Sequence, residues 1–142
     1  MTSVIAIILC AVFLLLGLWH FHMAFAGGGG EGAAVPSVDG RSLFVPSTAA
    51  TVAVGVLLLL CAVLVAGTSR LVSFGLPPGP LSWLSYALGL GLFARAVGEF
   101  KYVGFFKRVR GSRFARMDTL VYSPLCLVLS AGVGFVAINN AP

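Results

Sequence analysis

Charge is what this chain has least of, and acidic charge least of all: four Asp and Glu stand against nine Lys and Arg in 142 residues. With 9% charged and 59% hydrophobic residues, there is too little polar surface to cover a water-soluble domain, and no apolar stretch keeps the polar face of a soluble helix. Histidine is nearly absent as well. His20 and His22 are the only two, and on a helix they point about 160° apart, so they cannot jointly hold a metal. A bis-histidine haem lacks its second ligand on a facing helix. One histidine with Glu99 or Asp118 at a metal would need a ligand spacing that is missing, so neither a metal nor a cofactor is expected. The cysteines Cys10, Cys61 and Cys126 are odd in number, form no CxxC and fall in apolar stretches. They read as buried small hydrophobes rather than redox groups, although a Cys10 to Cys61 disulfide stays geometrically open if their helices touch.

What fills the chain instead is long apolar runs. Residues 3–25 form the first, whose opening eighteen residues carry no charge, enough to span about 27 Å as a helix. Ala24-Phe25-Ala26 resembles a cleavage site, but no basic segment precedes the run and it is long for a signal peptide, so the segment is expected to be retained. Four consecutive glycines then stop the helix. A turn signal at Ser37-Val38-Asp39-Gly40, bracketed by Pro36 and Pro46, and the apolar Leu43, Phe44 and Val45 describe a loop that can return to the membrane face. Ser47 is placed to cap a second span over 47–67. The connection SRLVSFGLPPGP cannot stay helical through its prolines. A third span follows over 81–100 and a fourth over 119–138. The fold expected is an all-α membrane protein, a single domain over 1–142 with four transmembrane helices in an up-down bundle. Small-residue pairs, Ala87 with Gly91 and Ser130 with Gly134, mark expected close helix contacts.

The stretch from Arg95 to Asp118 holds seven of the nine bases and two of the four acids. With four spans, the first and third connections share a side that carries Arg41, Lys101, Lys107, Arg108, Arg110, Arg113 and Arg116, whereas the other side carries only Arg70. The positive-inside rule places both termini outside. Because the bases sit in a connection between helices, anionic lipid head groups of the bilayer are their nearer partner, not nucleic acid. The same orientation collects His20, Arg95, Glu99, Asp118 and Tyr122 at the inner face. Arg95 and Glu99, spaced i,i+4, are expected on one helical face about 6 Å apart. Arg95 lies inside the end of its span, where an ionised group needs a partner, and His20 or Asp118 is expected within reach. Bland readings exist for each: an interfacial anchor for Arg95 and Trp19, a helix cap for Asp118, and a simple kink at Pro124.

WHFHMAFAGG, PSVDGRSLFVPS, RAVGEFKYVGFFK and FARMDTLVYSPLC resemble a family of small four-helix bacterial membrane proteins catalogued only as a domain of unknown function. The resemblance covers nearly the whole chain. It implies a multi-pass protein of the bacterial inner (plasma) membrane and no activity, and it marks Trp19, His20, Asp39, Gly40, Arg95, Gly98, Asp118 and Pro124. Three functions follow from the residues. The first is binding of an anionic amphiphile or lipid by His20, Asp39, Arg95, Glu99, Asp118 and Tyr122 at the inner face. The second is a membrane enzyme acting on a lipidic substrate with His20 and Glu99 or Asp118 as acid and base. The third is a small exporter, disfavoured because the acids near the spans lie at their ends. A helper role in a larger complex, or association with a second copy, stays open.

Overall fold

The computed structural model describes residues 1–26, 35–38 and 41–140. Among them the chain is all-helical apart from one minimal hairpin. Helix α1 spans Thr2–Phe25 and buries a single stripe, Ala6, Leu9, Phe13 and Gly17, at the three- and four-residue spacing of one helical face. Its other faces, with Ile7, Leu15 and Leu18, stay exposed although they are equally apolar. Such a helix is at home only in a medium that is itself apolar. Strands β1 (Ser37–Val38) and β2 (Arg41–Ser42) pair antiparallel with Val38 opposite Arg41. Asp39, at the link between them, lies outside the described residues. Leu43, Phe44 and Val45 turn outward rather than into the helical core.

Helix α2 (Thr48–Thr68) opens as the sequence leads one to expect: Ser47 is its cap, its side chain accepting from the Ala50 N–H at 3.1 Å. Helix α3 covers Pro78–Val97, with proline in its first turn, where a missing N–H costs nothing. Helix α4 (Arg113–Met117) runs through a π-helical turn at Asp118–Tyr122 into α5 (Ser123–Asn139), forming one helix over Arg113–Asn139. The sequence had put its start at residue 119. It starts earlier because Ser112 caps it, accepting from the Ala115 N–H at 3.1 Å. In the π-helical turn the Ser123 N–H reaches back five residues to the Asp118 carbonyl, and this wider turn immediately precedes Pro124, which has no N–H to offer.

Helix α1 packs chiefly on α2, and α3 on α5; lesser contacts of α1 with α5 and of α2 with α3 close the bundle. The core joins Ala6, Leu9 and Phe13 to Cys61, Ala62 and Val65 and to Leu129, Val133 and Val136. Glycines set the two main approaches. A Cβ on Gly17 would stand 3.1 Å from the Gly55 carbonyl. Ser130 donates its hydroxyl to the Gly89 carbonyl at 2.7 Å. One expected pair is thus corrected and the other is found at the contact: Gly89, not Ala87 or Gly91, makes the approach on α3, and a Cβ on Gly89 would stand 3.5 Å from the Ser130 carbonyl and 3.8 Å from the Gly134 nitrogen. The stripe that α3 buries is Ser82, Ser85, Gly89 and Ala96, and Ala87 and Gly91 lie off it. Three helices, α1, α2 and the continuous α4–α5, are long and apolar enough to cross a membrane.

Candidate functional site

The expected i,i+4 pair of Arg95 with Glu99 does not form. Helix α3 ends at Val97, Gly98 adopts φ 90°, and Glu99 lies beyond the helix, where the pairing register no longer exists. Glu99 instead accepts the Tyr102 N–H at 2.7 Å. The other expected partner is the real one. Arg95 Nη2 donates to Asp118 Oδ1 at 2.8 Å, across from α3 to the head of the π-helical turn. Asp118 is fully buried and is no N-cap: Ser112 holds that post, and Asp118 lies beyond Met117, past the five residues of α4.

Two more donors complete the Asp118 carboxylate. Lys107 Nζ reaches Oδ2 at 2.9 Å and the Gly104 N–H reaches it at 2.7 Å. Lys107 is 1% exposed, and its ammonium also donates to the Gly104 carbonyl at 2.8 Å and to Thr119 Oγ1 at 2.6 Å. All of its protons are therefore placed. Burying a lysine this deeply is tolerable only when the charge is paired and every donor is used. Arg95 differs: its side chain is 36% exposed, and its Nη1 is enclosed without an acceptor among the described residues.

The connection from α3 to α4 is built to deliver these groups. Gly98 and Gly104 have φ of 90° and 89°, and their backbones press together. A Cβ on Gly98 would collide with the Val103 carbonyl, and one on Gly104 with Gly98 Cα and the Val97 carbonyl. Only glycine fits either place. This contact doubles the chain back along the end of α3, where the Phe105 N–H bonds the Ala96 carbonyl at 2.9 Å, and it aims the Gly104 N–H at Asp118.

His20 Nδ1 bonds the Leu16 carbonyl at 2.7 Å within its own helix and takes no part in the Asp118 ion pairs. Tyr122 packs its ring on Phe114 at 6.1 Å. The three thiols are free, and Cys10 donates to the Ala62 carbonyl at 3.4 Å, beside Cys61 in sequence and so at the shared depth expected. No group of three or more His, Cys, Asp or Glu is set to hold a metal among the described residues. Sequence reasoning missed Lys107, which nothing local distinguishes from Lys101. It also passed over Gly104, whose signal was a second glycine in a connection that had to reverse.

A family described as proteins of unknown function (DUF3995) matches residues 13–133. The chain belongs to this family. Its matched region holds the entire Asp118 cluster, from Arg95 through Gly98, Gly104 and Lys107, together with His20. No curated protein and no solved structure matches the chain.

Proposed function

We propose that this DUF3995 protein is a four-span protein of the bacterial plasma membrane, with both termini outside, that binds anionic lipid head groups on a rigid basic platform at its inner face. Helix α3 supplies the fourth span. It lies along α5 from the Ser130 to Gly89 hydrogen bond to the Arg95 to Asp118 ion pair. The observation that carries the reading is where the acids point. Glu99 accepts a backbone N–H and Asp118 is buried, and the exposed Lys101, Arg108, Arg110, Arg113 and Arg116 form no ion pair among the described residues. Exposed Phe100 and Phe106, their rings 6.4 Å apart, share the connection with these bases, which suits the boundary between head groups and acyl chains. Arg95, its side chain 36% exposed, stands at the same end of α3. The acid–base alternative gains no support from this geometry, because His20 and Glu99 bond their own backbone neighbourhoods and Asp118 is enclosed by donors.

Two measurements test the reading. With Cys10, Cys61 and Cys126 replaced by alanine, a cysteine at Gly111 should label only from the cytoplasmic side and one at Ser73 only from outside; the opposite pattern removes the inner-face assignment. Phosphatidylglycerol retained through purification should fall with Arg95→Lys. Lysine keeps a cation for Asp118 but lacks the planar fork with a second donor. Equal retention would reduce Arg95 to an anchor for α4.

A further inference from the structure

The opposite end of α3 carries a second feature, unrelated to the basic platform. Where α2 hands over to α3, a cavity of about 250 Å³ opens, lined in part by Gly67, Thr68, Arg70, Ser73, Phe74 and Leu81. Its walls are held in place. Thr68 Oγ1 donates to the Leu81 carbonyl at 3.3 Å and shares a 2.8 Å hydrogen bond with Ser85, tying α2 to α3 at the floor. The Phe74 ring folds over Gly67 so closely that a Cβ there would come within 3.0 Å of it.

Arg70 occupies the left-handed turn that closes α2, with φ 60°. Its N–H bonds the Gly67 carbonyl at 3.1 Å. Glycine takes that conformation without strain and arginine does not, so the chain holds a guanidinium at a position where a smaller residue would fold more easily. Arg70 is exposed. The described acids offer it nothing, since Glu99 and Asp118 are both engaged at the far end of α3. A cavity whose lining includes apolar side chains, an arginine without an ion pair among the described residues and a serine has the composition of a site for a small anionic group on an apolar stem.

We propose that this cavity binds a phosphate or carboxylate group on Arg70, with Ser73 as a second donor and the ligand's apolar part against Phe74 and Leu81. The site stands independently of the basic platform. The test uses the full chain in phosphatidylcholine nanodiscs doped with phosphatidylglycerol, with native mass spectrometry counting retained lipid and inorganic phosphate added as competitor. Arg70→Gly and Arg95→Lys are run beside the wild type. Arg70→Gly should weaken retention of one phosphatidylglycerol by about tenfold or more, the scale of a lost charge-assisted hydrogen bond. Its unfolding temperature should stay level or rise, because glycine relieves the turn. The lipid that depends on Arg95 should persist in Arg70→Gly, so failure at one end leaves the other separately readable. Displacement of the Arg70-dependent occupant by inorganic phosphate identifies a free anion as the ligand; resistance to it identifies a lipid head group, and either supports the site. The proposal is overturned if Arg70→Gly retains phosphatidylglycerol and binds phosphate as the wild type does, or if the wild type binds neither beyond phosphatidylcholine controls.

Discussion

Helix α3 lies between two arginines that meet opposite circumstances. Arg95, in its last turn, faces Asp118, and around that carboxylate the chain also gathers Lys107 and the Gly104 N–H. Arg70, in the turn that closes α2 at the other end of α3, lines a cavity and has no described acid at its end of the bundle. The same side chain thus does different work. Where a carboxylate is folded in beside it, the guanidinium holds helices together; where none is, it remains open to an external anion. The contrast also separates two uses of left-handed backbone. Gly98 and Gly104 adopt it where any side chain would collide, whereas Arg70 adopts it with a side chain present.

The largest break in this contrast is expected at Asp118. Asp118→Asn leaves the fully buried Lys107 without its counter-ion and should destabilise the fold by about 3–5 kcal/mol. Thermal unfolding in detergent, with proteolysis of the connection at Arg108 and Arg110, reads the effect. Adding Lys107→Met to that variant should restore part of the loss, since an apolar side chain needs no partner; no recovery would mean that the ammonium is not the group left stranded.

Next in size is Gly104→Ala. It should cost about 2–4 kcal/mol, combining left-handed strain with a backbone collision. Gly111→Ala in the same connection, where a Cβ meets open space, should stay within about 0.5 kcal/mol. If both substitutions behave alike in the same unfolding assay, the Gly98 and Gly104 contact is not what fixes the connection.

Smaller still is Arg95→Lys, which keeps a cation for Asp118 at a position whose own side chain is partly exposed and should lower stability by about 1 kcal/mol or less, while lipid retention falls as described above. Smallest, and opposite in sign, is Arg70→Gly, expected to raise stability by a few tenths to about 1 kcal/mol. Loss of stability there would show that Arg70 supports the fold and would erase the contrast between the two ends.

Much of the helix plan was legible because it depends on apolar length and on local stops. The helices end where glycine, proline and capping serine stand in the sequence, as Ser47 shows for α2. Reading α3 through Gly98 was the error that produced a false Arg95 to Glu99 pair: an i,i+4 rule was carried past a helix end that the glycine itself marked. The start of α4 was misplaced for a related reason. A basic, polar segment gives no hydrophobic signal, although Ser112 carried a capping one. The Ala87 to Gly91 pair was misplaced, because spacing alone does not say which face of α3 meets α5.

Composition and the length of the apolar runs by themselves determined that this chain is a bundle of lipid-compatible helices, because an apolar helix has nowhere else to put its exposed faces. They also determined that its positive charge is concentrated in one connection, since that is a count along the chain. Only the tertiary structure decided which charges are free. Lys107 and Lys101 are alike in sequence, yet one is sealed against Asp118 and the other is exposed. That choice rests on a contact between Gly98 and Gly104 and on the packing of α3 against α5, and a charge acquires its partner from such long-range geometry, which no local pattern of residues contains.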